Sequence, residues 1–206
     1  MTVKTFVGFN FPENCYAAIL DDGIFIVDPG EEINELINFV TENKENIKYI
    51  LLTHLHFDHI RAVAAIKRIC PHAKIVIHAL DGNALNDVNY NLSSLFGFSI
   101  EKFNPDIICN DNDVINIGNT EIKVMHTPGH TRGSVCYIVN DIIFSGDTLF
   151  EGSCGRTDFP GGDYFALSSS LQKLKNLSGD FIVYSGHGNP TTLNAERLHN
   201  PYIRNL

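Results

Sequence analysis

One short segment constrains this chain more than any other: residues 53–59, with the sequence THLHFDH, which follow an apolar run and precede a helical pattern. The segment is therefore expected at the end of a strand and the start of a helix. Side chains two residues apart in an extended chain point the same way, so His54 and His56 can face one ion. Asp58 and His59 turn into the helix, whose positive N-terminus keeps His59 in the neutral form that binds metal.

Three further candidate ligands stand in similar places, each just after an apolar run that predicts a strand. They lie in the sequences TPGHT, SGDT and SGHG, where the glycines let the backbone crowd together. Clustered His and Asp at strand ends match metal-site chemistry. We therefore predict seven metal ligands: His54, His56, Asp58, His59, His130, Asp147 and His187.

Seven ligands exceed the three or four that one tetrahedral site can use, so we expect two divalent ions. Zinc is the expected metal, and iron or manganese also suits a donor set without thiolate. Such a pair lowers the pKa of bound water to about 7 and can hold an attacking hydroxide. One workable division places His54, His56 and His130 on one ion and Asp58, His59 and His187 on the other, with Asp147 bridging them.

The composition excludes several kinds of partner. The net charge of −9 argues against binding to nucleic acid. No apolar run approaches the roughly 20 residues that a membrane helix needs, and the N-terminus lacks the apolar core of a signal peptide. The five cysteines form no C-x-x-C pair, which indicates reduced thiols. We expect a cytoplasmic protein with a small-molecule substrate and no membrane or nucleic-acid partner; the sequence makes no prediction of its oligomeric state.

Strand and helix patterns alternate along the chain without a linker. Residues 15–28 and 136–147 look alike: each is a hairpin that ends in an aspartate. Either hairpins simply resemble one another, or the chain has two related halves. Two such halves predict an α/β fold, a four-layer αββα sandwich in a single domain, 1–206. The predicted strands are 3–7, 15–20, 24–28, 49–53, 74–78, 114–117, 121–126, 135–139, 142–145 and 181–184, and the predicted helices are 32–43, 60–69 and 164–177.

The seven candidate ligands, in this order, resemble the metallo-β-lactamase superfamily over nearly the whole chain. Within it, TPGHTRGS at 127–134 and GDTLF at 146–150 look like the glyoxalase II (hydroxyacylglutathione hydrolase) branch. GRTDFPGGD at 155–163 and GHGNPTT at 186–192 look like its short bacterial members. The resemblance implies the metallo-β-lactamase fold. It also implies hydrolysis of a thioester such as S-lactoylglutathione, or a related acyl thiol, by a metal-bridging hydroxide that Asp58 orients as the catalytic residue.

Departures from the family patterns narrow this interpretation. Asp147 stands where the commonest β-lactamases carry cysteine, which argues against antibiotic hydrolysis as the main activity. Only 19 residues follow His187, too few for the C-terminal helical domain with which glyoxalase II binds glutathione. The loop near residue 155 is expected to contact the substrate instead, through Arg156, Cys154, Asp158 and Phe159.

An alternative from another class stays open at this stage. A persulfide dioxygenase on the same fold would use a single iron at His54, His130 and Asp147, and it is similar in the GRTDF segment. The intact His187 in the GHG ending favours the hydrolase. Nuclease or phosphodiesterase activity is disfavoured by the −9 charge and by the lack of an inserted substrate domain.

Overall fold

The first half of the chain forms a six-stranded sheet in the computed structural model, which describes residues 1–206. Its strands lie side by side in chain order: β1 (Thr2–Val7), β2 (Asn14–Leu20), β3 (Gly23–Val27), β4 (Ile47–Leu51), β5 (Lys74–His78) and β6 (Ile107–Cys109). The first three are antiparallel, and the last three run parallel to β3. Parallel neighbours need crossovers, which are α1 (Asn34–Glu42), then α2 (Phe57–Ile60) with α3 (Val63–Ile69), and then α4 (Ala79–Gly82) with α5 (Ser93–Phe96).

The second half repeats this design. Across its sheet the order is β14 (Thr191–Thr192), β13 (Ile182–Ser185), β10 (Ile142–Gly146), β9 (Val135–Val139), β8 (Thr120–His126) and β7 (Val114–Ile117). Strands β8, β9 and β10 are antiparallel, and α6 (Tyr164–Lys175) then crosses to β13, which is parallel to β10. The same pattern joins β1, β2 and β3 through α1 to β4. A short hairpin of β11 (Leu149–Phe150) with β12 (Ser153–Cys154) and a final helix α7 (Leu193–His199) complete the fold.

Three apolar clusters mark the three interfaces of four layers. The middle cluster joins the two sheets, and the outer two join each sheet to its helices. Alternation along β2 decides which interface a residue enters: Tyr16 and Ala18 face the second sheet, whereas Cys15 and Ala17 face the helices. The predicted αββα sandwich with two related halves is therefore confirmed.

The structure divides the helix predicted at 60–69 into α2 and α3. The break at Arg61 and Ala62 has a tertiary cause, because the Ala62 N–H donates to the Pro29 carbonyl and the Arg61 Nε donates to the Gly30 carbonyl. These bonds hold the segment between α2 and α3 against the loop that follows β3. All five cysteines are free, and no helix has both the length and the apolarity that spanning a bilayer requires.

Candidate metal centre

All seven predicted ligands lie at one edge of the sandwich, just beyond the C-terminal ends of four strands. His54 and His56 follow β4, and Asp58 and His59 lie in the first turn of α2. The other three follow β8, β10 and β13 in turn: His130, Asp147 and His187. Because β8, β10 and β13 run in one direction, their ends meet at the same edge.

The predicted ligands supply two groups of three, and a third group combines His54 and His59 with Asp28, which was not predicted as a ligand. In one group, a nitrogen of each of His54, His56 and His130 lies within 4.8 Å of the other two. The second group consists of Asp58, His59 and His187, whose ligand atoms also lie within 4.8 Å of one another. Within the first group, His56 Nδ1 faces His130 Nε2 at 2.9 Å, a spacing suited to two donors that share one ion.

Asp147 lies between the two groups. Its Oδ1 is 3.4 Å from His59 Nε2, in the second group, and its Oδ2 is 3.4 Å from His130 Nε2, in the first. The Oδ2 atom is also 3.7 Å from His187 Nε2. One carboxylate can thus offer an oxygen to each of two ions.

The histidine rings are held from behind, through Nδ1. His130 Nδ1 is 2.8 Å from the Arg156 carbonyl, and His187 Nδ1 is 2.8 Å from the Pro12 carbonyl. A carbonyl accepts only from a protonated Nδ1, which leaves the Nε2 lone pair free and aimed at the centre.

Three buried polar atoms of the candidate ligands face the centre and have no partner: the Nε2 atoms of His54 and His59, and Oδ1 of Asp147. A buried polar atom without a partner costs about 1–3 kcal/mol. Bound metal ions would satisfy these atoms, so the side chains fit such ions on physical grounds.

The structure adds residues that the sequence analysis missed. Asp28 holds His59, with Oδ2 3.0 Å from His59 Nδ1, and it also accepts from the N–H and hydroxyl of Thr53. With its oxygens engaged in this way, Asp28 orients ligands rather than binding an ion itself. The buried Glu13 lies 3.9 Å from His59 Nδ1. A signal for Asp28 existed, because it occupies the place in the first hairpin that Asp147 occupies in the second.

Two glycines allow the loops to meet. A Cβ at Gly186 would overlap Asp147 Oδ1 and lie 2.6 Å from His59 Cε1. Gly146 has φ +48°, and a Cβ there would overlap the Thr53 hydroxyl. The SGD and SGHG sequences therefore contain glycine because the ligands leave no room for a side chain.

Burial and neighbouring charges shift the pKa values of the individual ligands in different directions. Burial, with the neighbouring histidines, lowers the pKa of His54 and of His56 well below the usual value, so both stay neutral. Burial opposes ionisation of Asp58, but His59 and His187 outweigh it and hold the pKa of Asp58 well below its ordinary range. Burial opposes protonation of His59, but Asp147 and Asp58 outweigh it and raise the pKa of His59 well above the usual value, so the neutral form expected from the helix N-terminus is wrong for the metal-free side chain. Neutral imidazoles and ionised carboxylates are the forms that bind metal.

A cleft of about 360 Å³ opens onto the centre. Arg156, Cys154 and Phe159, all predicted to contact substrate, line it. The fourth such residue, Asp158, does not line the cleft but pairs with Arg156 in two hydrogen bonds of 2.7 and 2.6 Å. A wider groove of about 770 Å³ on the outer face of the second sheet contains none of the candidate ligands.

The fold and the site together define the class of this protein. The sequence profile of the metallo-beta-lactamase superfamily matches residues 8–187, a range that contains every candidate ligand. The chain therefore belongs to the metallo-beta-lactamase superfamily. At this level it is a metallo-hydrolase for a small-molecule substrate, with His and Asp side chains able to hold two metal ions.

Individual relatives are similar over almost their full length. The chain is 36% identical over 202 residues to hydroxyacylglutathione hydrolase GloC of Haemophilus influenzae, which covers 94% of this chain and 93% of that protein. The crystal structure of BLEG-1 B3 metallo-beta-lactamase matches with a TM-score of 0.90 and 36% identity, covering 98% of this chain and 99% of that one. TTHA1623 in a di-iron-bound form matches with a TM-score of 0.83 and 33% identity, covering 97% and 99%.

Proposed function

We propose that this protein hydrolyses a thioester, S-lactoylglutathione or a related acyl thiol, at a binuclear metal centre. The observation that carries the proposal is the placement of Asp147, with one oxygen toward each group of three candidate ligands. The relative named hydroxyacylglutathione hydrolase supports the choice of a thioester. The proposed ligands are His54, His56, Asp58, His59, His130, Asp147 and His187, and the proposed ions are zinc.

Two bound divalent ions would supply positive charge that polarises a carbonyl and lowers the pKa of water. Asp58, ionised and 3.5 Å from His187, would accept a hydrogen bond from the attacking water and orient it. The water loses a proton to solvent as its oxygen bonds to the carbonyl carbon, the carbon–sulfur bond breaks to give the carboxylic acid and a thiolate, and the thiolate takes up a proton from solvent. A thiol pKa near 8.5 makes this departure possible without a dedicated general acid.

We further propose that residues 1–206 act as one catalytic unit and that the loop near Arg156 contacts the substrate. The near-complete coverage of the Haemophilus influenzae relative supports a single unit. Arg156, Cys154 and Phe159 would contact the substrate directly, and Asp158 would act by holding the Arg156 guanidinium.

A second candidate function is iron-dependent oxidation of a persulfide at a single ion held by His54, His130 and Asp147. The specific observation in its favour concerns the kind of metal and not the number of ions: a similar protein was solved in a di-iron-bound form, so such a relative accepts iron. In this chain, His130 Nε2 and Asp147 Oδ2 are 3.4 Å apart, so these two side chains can share an ion.

The deciding experiment measures metal content per chain in protein purified without added metal, together with two assays. Two ions per chain and cleavage of S-lactoylglutathione or another thioester are expected. One iron per chain, with oxygen uptake on glutathione persulfide and no thioester cleavage, would instead establish the second candidate. Nitrocefin serves as a further substrate, because one relative is named a B3 metallo-beta-lactamase.

The proposed role of Asp58 can be tested with one variant. Asp58→Asn removes the charge that orients water, and thioester turnover should fall at least about 100-fold per metal-loaded chain. Asp106→Asn is the matched control, since Asp106 accepts from Ile75 N–H and Lys67 outside the centre. Full turnover by the Asp58 variant with both ions bound would contradict the role.

A further inference from the structure

Building on the proposed thioester hydrolysis, we infer that the substrate of this site carries an apolar acyl group, which aromatic side chains around the cleft bury. The acyl chain and the sulfur of the thiol carrier are both bonded to the reacting carbonyl carbon, so the acyl chain and the first atoms of the carrier lie within the cleft. The remainder of the carrier can extend into solvent. We therefore assign the apolar lining of the cleft to the acyl chain, and a series that varies the thiol tests this assignment.

Four phenylalanines from three parts of the chain form a continuous aromatic wall, of which all but Phe98 line the cleft: Phe11, Phe57, Phe96 and Phe98. The Phe57 ring stacks on Phe96 and on Phe98, with centroid distances of 4.9 and 5.1 Å. Phe11 meets the edge of Phe57 at 5.0 Å. Because Phe57 lies in α2 between His56 and Asp58, the aromatic wall is anchored directly beside the candidate ligands.

The aromatic wall continues around the cleft. The Phe96 ring is 6.3 Å from Phe159, whose ring is 6.1 Å from His56. At the other end of the cleft, Phe150 is 6.2 Å from His187. Leu92 also lines the space. Apolar side chains thus surround the polar floor on more than one side.

Phe96 exposes 40% of its surface, although it lies within this cluster. A ring left open beside a reactive centre can bury more surface when an apolar group enters. Each Å² of apolar surface removed from water contributes about 25 cal/mol, and each added CH₂ group about 0.8 kcal/mol. A larger apolar acyl group should therefore be preferred over a small polar one such as lactoyl.

The charges around the cleft do not favour an anionic acyl group. Arg156 is the one cation among the residues that line it. Its guanidinium already pairs with Asp158 and lies 3.9 Å from the Phe159 ring centroid. The carboxylates of Asp58 and Asp147 on the floor are proposed ligands, and the two proposed ions would offset their charge. The lining therefore offers an acyl carboxylate no Lys or Arg side chain that is free of a partner.

The test is an acyl series on one neutral thiol, N-acetylcysteamine: acetyl, butyryl, hexanoyl, phenylacetyl and lactoyl. Each kcat/KM is divided by the rate of hydroxide-catalysed hydrolysis of the same ester. We expect the corrected value to rise at least about tenfold from acetyl to phenylacetyl, which corresponds to about 1.4 kcal/mol. A second series keeps the acetyl group and varies the thiol. A flat acyl series, a preference for lactoyl, or selection only through the thiol overturns the inference.

Two variants test whether Phe96 is responsible for the preference for an apolar acyl group. Phe96→Ala should remove most of the preference for phenylacetyl over acetyl, mainly through KM. Phe96→Leu should retain part of the preference. Phe165→Ala is the matched control, because Phe165 is 82% exposed and lies outside the cleft. An unchanged preference in Phe96→Ala overturns the inference, and if that variant does not fold, Phe96→Leu and the wild-type series decide.

Failure of the inference is distinguishable from failure of the proposed function. Protein with both ions bound that cleaves no thioester in either series contradicts thioester hydrolysis itself. Protein that cleaves thioesters without regard to the acyl group retains the proposed function and contradicts only the selection for an apolar acyl group.

Discussion

Single atoms determine how closely the ligand-bearing loops approach. Gly186 has Asp147 on one side and His59 on the other, and its N–H donates to the Gly146 carbonyl. The same crowding leaves Gly155 no room for a side chain, since a Cβ there would overlap the Asp147 carbonyl. One added methyl group at such a position must move a ligand.

Gly186→Ala should therefore lose metal while the protein still folds. The added Cβ would displace Asp147 or His59, and we expect about one ion fewer per chain and a fall in activity of at least about 100-fold. Metal analysis and a melting curve measure the two effects. Gly82→Ala is the control, because its Cβ would meet side-chain atoms of Ile108 and Ile77 at 2.9 and 3.2 Å and no candidate ligand, and it should keep both ions.

His78 predicts a pH effect outside the centre. Its Nδ1 accepts from the Leu80 N–H at the start of α4, which requires an unprotonated nitrogen. Burial, with the stacked His126, lowers the pKa of His78 to about 4. Since the unfolded value is about 6.5, the unfolded chain binds more protons between these values. The contribution of neutral His78 to the stability of the fold is complete above pH 6.5 and is lost as the pH falls to 4.

His78→Asn keeps a capping acceptor that does not titrate. Both proteins are measured without metal. Between pH 7 and pH 4, the free energy of unfolding of His78→Asn should fall by about 1 kcal/mol less than that of wild type, a figure reduced for solvent screening. Urea titrations at the two pH values measure it. His72→Asn, at an exposed histidine, should leave the difference unchanged; an equal slope in wild type and His78→Asn would contradict the effect.

At the scale of elements, the strand ends that carry the ligands are tied together across the two sheets. The Tyr16 hydroxyl on β2 donates to the Ser185 carbonyl on β13, and the Tyr137 hydroxyl on β9 donates to Leu52 beyond β4. Buried Asp81 joins two loops: it accepts from Leu55 N–H between His54 and His56 and from Gly133 N–H beyond His130. The group of three histidines therefore depends on α4, which contains no ligand.

Asp81→Asn should weaken metal binding at the three-histidine group. Asp81 accepts three hydrogen bonds, from Leu55, Thr131 and Gly133, and an asparagine amide would direct a donor at one of these donors. Loss of such a supporting contact costs about 10–100-fold in metal affinity. Competition with a chromophoric chelator measures it. Asp106→Asn should lower stability without that change, and equal metal affinities in the two variants would refute the link.

The longer elements were predictable from the sequence, and the short ones were not. Helix α6 and strands such as β5 and β9 extend far enough for their periodicity to be recognised. The missed elements, β6, β11, β12, β14, α4, α5 and α7, have two to seven residues each. Over such lengths pairing with a neighbouring element, rather than local pattern, decides the conformation.

On the scale of the whole molecule, the sandwich brings acidic groups from distant parts of the chain to one edge. Glu13, Asp28, Asp58 and Asp147 all lie around His59, and burial raises the pKa of Glu13 well above its usual value. The apolar clusters must hold these carboxyl groups together when no metal ion is bound. Metal binding should therefore contribute to the stability of the entire fold.

Removal of metal with a chelator should lower the melting temperature by about 10 °C or more. An ion at 100 times its dissociation constant contributes about 2.7 kcal/mol, and each kcal/mol shifts the midpoint by about 2–4 °C in a chain of this size. Calorimetry of loaded and stripped protein measures it. Zinc should restore the midpoint and magnesium should not, because the candidate ligands are rich in imidazole nitrogen. An unchanged midpoint after verified removal of metal would contradict this contribution.

The sequence by itself determined the layered fold and nominated seven ligands, because alternation and ligand residues at strand ends are local patterns. Only the tertiary structure decided what surrounds those ligands. Asp28 and Glu13 lie behind His59, Asp81 joins two loops, and the aromatic wall combines residues 11, 57, 96 and 98. These contacts join residues far apart in the chain, and burial and hydrogen bonding in the folded state select them, which no local pattern encodes.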